Sequence, residues 1–175
     1  MQLRPHQEQA IQSMTDNDKG QVIVPTGGGK TICMIMDAVK QLEKYGTVVV
    51  VAPRILLAEQ LCKEFMEIID EKYNDVDVMH VHSGKIKGIF SSTNPFEIQA
   101  FVEQNGWLSR TIVFTTYHSL HRVQESGIDV DEYTLMKHTT QYRKTFSLLL
   151  ITSHRMLKDV TSLQQHQSIV VHLSK

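Results

Sequence analysis

The chain has little of what marks an exported, membrane-spanning or metal-scaffolded protein. It holds two cysteines, Cys33 and Cys62, in 175 residues. Both lie in apolar stretches of helical spacing, so reduced core thiols are expected rather than a disulfide framework. No run of about 18 apolar residues occurs, which excludes an evident membrane helix. The opening Met1-Gln2-Leu3-Arg4-Pro5-His6-Gln7 lacks the apolar core of a secretory signal. A soluble, cytoplasmic protein with no membrane partner is expected. Charge of one sign is also lacking: the net charge is −1. That argues against a histone-like binder with a global basic field, while leaving local contacts to a nucleic-acid backbone open. His80 and His82 form an H-x-H pair without a cysteine or second histidine cluster nearby, so packing or solvated histidines are expected rather than zinc ligands. The length suits one domain with a sizeable core.

What is present is a glycine loop between a strand and a helix. Gln21-Val22-Ile23-Val24 reads as a short buried strand, and Ile32 to Tyr45 has apolar residues at helical spacing. Between them lie Pro25, Thr26, Gly27, Gly28, Gly29, Lys30 and Thr31. Glycines let successive backbone N–H groups turn toward one centre at a helix N-terminus, which makes an anion-binding nest. Lys30 is then expected to reach the β- and γ-phosphates of ATP, and the Thr31 hydroxyl to ligate Mg²⁺. The literal Walker A pattern wants glycine where this chain has Val24. A plain glycine turn would not call for Lys-Thr at the helix start.

Along the chain, helix Arg4–Asp16 precedes that strand, with Ala10, Ile11 and Met14 on its apolar side. Strand Thr47–Ala52, helix Leu56–Lys72, strand Val76–Val81, a loop from Lys85 to Pro95, helix Phe96–Asn105 and strand Thr111–Thr115 follow. Val- and Ile-rich strands alternating with helices predict an α/β fold with a parallel sheet. The regular rhythm stops near Gly127. After it, only Phe146–Ile151 resembles a buried strand, and 129–175 reads as an irregular tail.

Three further motifs surround the loop in order. Leu3-Arg4-Pro5-His6-Gln7 precedes it. Val48-Val49-Val50-Val51-Ala52-Pro53-Arg54 to Gln60 follows on the next strand, and Ile112-Val113-Phe114-Thr115-Thr116-Tyr117-His118-Ser119-Leu120 comes later at another strand end. Together these resemble the N-terminal motor domain of superfamily 2 helicases and translocases, closest to the branch of type I and type III restriction motor subunits and UvrB-like proteins. The resemblance covers about residues 2–125 and implies a RecA-like P-loop domain over 1–128, incomplete at its C-terminal end. It implies that Gln7 reads the adenine edge, with Arg4 helping to position it. It implies that Pro53, Arg54 and Gln60 touch the sugar-phosphate backbone of one strand, and that Thr115, Thr116 and Tyr117 form a second strand contact. DNA is favoured over RNA. Where many relatives read Thr-Arg-Glu-Leu-Ala, this sequence has Arg54-Ile55-Leu56-Leu57-Ala58, which loosens the correspondence there. The family's second motor domain, with its arginine finger, is absent from this sequence, so DNA movement by closure of two lobes is not expected of this chain alone.

The resemblance also implies a second catalytic motif, an apolar strand ending in Asp-Glu and often Ala-His. The in-frame Asp-Glu is Asp131-Glu132, after a stretch holding Glu125, Gly127 and Asp129 that makes a poor buried strand. The genetic code supplies another reading. Codons formed from the last base of each residue and the first two of the next permit Asp-Glu-Ala-His across Leu135-Met136-Lys137-His138-Thr139. The same shift permits Ile-Tyr-Phe across Glu132 to Leu135. Across Asp159 to Ser168 it permits an apolar strand ending in Thr-Ala-Thr, similar to the family's third motif. The chain from about Glu132 onward is therefore expected to be an out-of-frame tail. The P-loop strand would then have unpaired edges, a liability for stability. Two other classes stay open: a non-enzymatic nucleotide- or DNA-binding fragment, and a P-loop kinase or other P-loop NTPase.

Overall fold

The computed structural model describes residues 2–17, 19–25, 27–104, 109–141, 144–153 and 169–172. The first helix, α1 (Pro5–Asp16), begins at proline, which fits the first turn because its missing N–H has no helical partner there. It buries Gln7, Ala10, Ile11 and Met14 along one side. Strand β1 (Lys19–Pro25) runs into the glycine loop and α2 (Lys30–Leu42) leaves it. Then come β2 (Thr47–Ala52), α3 (Ile55–Ile69), β3 (Val76–Val81), β4 (Phe90–Ser91), α4 (Pro95–Glu103), β5 (Arg110–Thr116) and α5 (Leu120–Glu125). The strands β6 (Glu132–Gln141), β7 (Lys144–Ser153) and β8 (Ile169–His172) complete the described elements. Among the described residues no helix is long and apolar enough to cross a membrane.

All these strands share one sheet, in the order β4-β3-β5-β2-β6-β7-β1-β8. β2 pairs in parallel with β5 and β6, and β3 in parallel with β5. β7 is antiparallel to both β6 and β1, so β1 runs in the same direction as β2. The alternation of side chains decides the layers. Val48, Val50 and Ala52 join Ile112 and Phe114 under α1, α2 and α3, where Phe65 meets Phe114 edge-on at 5.4 Å. Val49 and Val51 join Val113, Met79 and Val81 under α4 and α5. Every residue of β2 is buried, as a central parallel strand requires. Each fully buried valine is worth about 1.5–3 kcal/mol. An exposed pair such as Lys72–Glu43, with both side chains about half exposed, is worth about 0.2–1 kcal/mol. The apolar sheet, not the surface charges, holds this fold together.

Several boundaries differ from the sequence expectation. Helix α2 stops at Leu42 rather than Tyr45, because Tyr45 adopts a left-handed φ of 57° in the turn to β2. The segment from Lys85 to Pro95 contains the short β4, paired in parallel with β3, and α5 had no counterpart in the sequence reading. The larger correction concerns 129–175, read as irregular. Three of its segments are strands of the main sheet, and β1 has no open edge: it lies between β7 and β8. The physical reason is backbone pairing. An apolar strand with unpaired N–H and C=O groups is costly, and the Phe146–Ile151 run, rich in β-forming residues, supplies a partner. Asp159 to Ser168 and Asn105 lie outside the described residues.

Candidate functional site

The parallel strands β1, β2, β3 and β5 all end at the same edge of the sheet, and the site residues stand on the connections that leave it. After β1, Gly27 and Gly29 both have φ of 78°, a conformation that glycine adopts without penalty. Between them Gly28 is buried and donates its N–H to the Pro25 carbonyl at 2.9 Å. A Cβ at Gly28 would stand 2.6 Å from Val24 Cγ1. Val24, the departure from the literal pattern, is thus the strand residue against which the loop folds. Gly29 is the left-handed N-cap of α2, and Lys30 and Thr31 are its first two residues, both half-buried. The helix has no acidic residue in its first turn, so none of its own side chains neutralises its positive end. Burial lowers the Lys30 pKa, with the attraction of Glu64 opposing it. An anion in the nest would relieve that desolvation. Pro25 closes β1 and is half-buried, while Thr26 lies outside the described residues.

Helix α1 packs its N-terminal turn onto this loop. Gln7 is buried; its Oε1 accepts the Arg4 backbone N–H at 2.9 Å, and its Nε2 donates to the Gly28 carbonyl at 3.3 Å. His6 Nε2 bonds the same carbonyl at 2.8 Å. Arg4 therefore positions Gln7 through its backbone, and its own side chain is exposed.

A groove of about 330 Å³ opens beside the ends of β2, β3 and β5. Pro53 and Arg54 form one wall with Ile55 and Leu56, and Thr116 lies on the other side. Ser83, His118 and Ser119 also line it; sequence reasoning gave none of them a contact role, although His118 and Ser119 lie inside the Ile112–Leu120 motif. Their signal was position: each follows a strand at the same edge. Thr116 is held by a turn in which its Oγ1 accepts the Ser119 N–H at 3.3 Å. The remaining expected contacts do not line the groove. Thr115 is fully buried and its hydroxyl donates to the Val81 carbonyl at 2.8 Å. The Tyr117 hydroxyl donates to the Met136 carbonyl at 2.6 Å, and burial pushes its pKa up to about 12. Gln60 is exposed on α3, with its amide donating to Glu64 at 2.7 Å.

The in-frame carboxylates stand at the opposite edge. Asp131 Oδ2 accepts the Thr47 N–H at 2.7 Å at the start of β2, and Glu132 lies in register with Val48. A strand of this length spans about 17–20 Å, so neither residue reaches the loop. The buried Glu132 instead meets Asp37 of α2 and accepts the Thr134 hydroxyl at 2.8 Å. Burial first, and then their mutual repulsion, hold the Glu132 carboxyl well above the usual range, and burial raises Asp37 too. His80 and His82 are buried and bonded to each other at 2.9 Å. Among the described residues no group of three or more His, Cys, Asp or Glu could hold a metal ion.

Comparison with solved structures finds a likeness to a nuclease-deletion mutant of the Type ISP restriction-modification enzyme LlaGI, determined in complex with a DNA substrate mimic. The TM-score is 0.59 at 21% identity, over 77% of this chain and 15% of that one. The likeness shows the RecA-like α/β fold, and the chain spans about 15% of the length of that enzyme. Comparison with family models matches "Type III restriction enzyme, res subunit" over residues 1–175. With the whole chain inside that match, this protein belongs to the type III restriction enzyme res subunit family, whose motor is of the superfamily 2 helicase type.

Proposed function

We propose that this chain is the ATP- and DNA-binding front of an ATP-dependent DNA translocase or helicase. The observation that carries the reading is the shared edge: the glycine nest with Lys30 and Thr31 opens at the same end of the sheet as the Arg54–Thr116 groove. In this reading the Gly27–Lys30 amides and the Lys30 ammonium hold the phosphates, and the Thr31 hydroxyl faces the Mg²⁺ that neutralises their charge when bound. The donor set fits: a desolvated lysine, a hydroxyl and a helix whose first turn holds no acidic residue. Gln7 recognises the adenine edge. Arg54 and Thr116 contact phosphates of one DNA strand, with Ser83 and Ser119 adding hydroxyls, which suits a neutral protein.

The carboxylate that acts on Lys30 is Glu64 of α3, no strand among the described residues ends in a carboxylate beside the loop, and the register of β6 supports the frame reading. Leu135 lies opposite Val51 near the end of β2, at the edge where the loop opens. A shifted frame would put Asp-Glu there, to hold Mg²⁺ and to orient the attacking water. The chain as translated then binds nucleotide and DNA without efficient hydrolysis, and hydrolysis coupled to movement on DNA belongs to the intact family member.

Titration with a fluorescent ATP analogue and with single-stranded oligonucleotides tests the binding. Saturable nucleotide binding abolished by Lys30→Ala is expected, and equal binding by that variant would refute it. DNA-stimulated turnover by the unaltered chain would sink the fragment reading. Phosphorylation of a small substrate without DNA would favour the kinase class. The frame reading stands on the gene: it fails if the Leu135 codon does not end in G.

A further inference from the structure

The Gly28 carbonyl is held by two side chains of α1. His6 Nε2 lies 2.8 Å from it and Gln7 Nε2 lies 3.3 Å from it. A carbonyl oxygen only accepts, so the His6 ring carries its proton on Nε2 and donates. The peptide joining Gly28 to Gly29 is trans, as are all peptides described here. In a trans peptide the C=O and N–H point in opposite directions. Drawing the Gly28 oxygen toward α1 therefore aims the Gly29 N–H away from α1. Gly29 is the left-handed cap whose amide, with those of α2, forms the nest. Glycines flank this peptide, so little steric resistance opposes its rotation. Turned over, it would present an oxygen to an incoming phosphate in place of an N–H.

We propose that His6 is a positioning residue that locks the Gly28–Gly29 peptide in its anion-binding orientation. His6 supplies the shorter of the two bonds, and Gln7 the longer. The division has a consequence when nucleotide binds. If Gln7 turns its amide to the adenine edge, His6 keeps the carbonyl in place. The close seat of Gln7, whose Nε2 would stand 2.1 Å from a Cβ at Gly29, shows how tightly this turn of α1 covers the loop. The inference rests on nucleotide binding by the loop, and adds a residue outside the loop that acts through it.

The test compares His6→Phe, which keeps a ring and loses the donor, with His6→Gln, which keeps an N–H donor at similar reach. Both are made in the full chain, with thermal unfolding as the folding control. The probes are a fluorescent ADP analogue, inorganic pyrophosphate and adenosine. Loss of one part-buried hydrogen bond at the phosphate side is expected to weaken ADP and pyrophosphate about tenfold in His6→Phe. His6→Gln should restore both to within about twofold of the unaltered chain, and adenosine should bind all three proteins alike. Equal phosphate affinity in His6→Phe overturns the inference. So does a His6→Gln variant as impaired as His6→Phe, or a parallel loss of adenosine, because either would mean ring packing. If the unaltered chain binds neither ADP nor pyrophosphate, the nucleotide reading falls and the lock with it. If it binds them and Lys30→Ala does not, only the lock is at stake.

Discussion

Acid should open the sheet at β3, because its two histidines are wired for neutrality. The Gly84 N–H donates to His82 Nδ1 at 3.1 Å, which leaves the His82 proton on Nε2. That N–H donates to His80 Nδ1 at 2.9 Å. The His80 proton then sits on Nε2, which is buried without a hydrogen-bond partner, and the ring stacks on Phe114 at 5.4 Å between centroids. A second proton on His80 would set one N–H against another in an apolar layer. Burial first, and His82 second, push the His80 pKa down from 6.5 to about 4. The folded pKa is the lower one, so this group's contribution is fully present above 6.5 and is lost as pH falls toward 4. Linkage over that window amounts to about 3 kcal/mol in total, of which about 2 kcal/mol is gone by pH 5. That is a large part of the stability of an ordinary domain, about 5–15 kcal/mol. Urea unfolding of the unaltered chain and of His80→Phe, at neutral pH and at about pH 5, measures the effect. The variant should be less stable at neutral pH, because the His82 N–H loses its acceptor. Its stability should then fall by about 2 kcal/mol less on acidification. If both proteins lose the same stability between the two pH values, the neutral-pair reasoning is wrong.

The opposite sign applies to Glu132, whose carboxyl is raised by burial and by Asp37. Its folded pKa exceeds the unfolded one, so the protein loses stability as pH rises from the ordinary carboxylate range. Glu132→Gln should gain about 2 kcal/mol over the unaltered chain at pH 8 and little at pH 4 in urea unfolding. The two threonines of β5 should separate stability from binding. Thr115→Val is expected to cost about 1 kcal/mol while leaving oligonucleotide affinity unchanged, and Thr116→Val to weaken that affinity about threefold to tenfold in a fluorescence anisotropy titration.

The sheet was legible where side-chain pattern and backbone direction agree. Val48 to Val51 could only be a strand buried on both faces, and Ala58, Leu61, Cys62, Phe65 and Ile69 could only be one stripe of a helix. The glycine loop was legible because its residue types are demanded by backbone angles. Contacts set by tertiary register were not. Thr115 and Thr116 are neighbours in one motif, yet strand alternation sends one hydroxyl into the Val81 carbonyl and the other to the groove. Ser83 carries no motif, and only the parallel pairing of β3 with β5 brings it beside Thr116. The strands after residue 131 were hidden for another reason. β6 holds Glu132, Thr134 and Lys137, an unpromising pattern, but a strand slot is filled by backbone hydrogen bonds that any non-proline residue can make.

That distinction between slot and side chain bears on the half-built site. The slot beside β2 selects for extended backbone at Glu132–Leu135, and the sequence meets that demand. Its side-chain environment selects for something else. Opposite Val48, Glu132 meets Asp37 of α2, a helix whose Met34, Ile35 and Ala38 are buried in the apolar cluster, and burial together with Asp37 raises its pKa. At the other end Leu135 lies opposite Val51, and Leu135 and Met136 are buried in the apolar clusters on the two faces of the sheet. Glu132 is thus out of keeping with its buried surroundings, whereas Leu135 and Met136 match theirs. Under the proposed frame shift, an isoleucine would replace the buried carboxylate at the start of the strand, and Asp-Glu would stand at the edge where the loop opens.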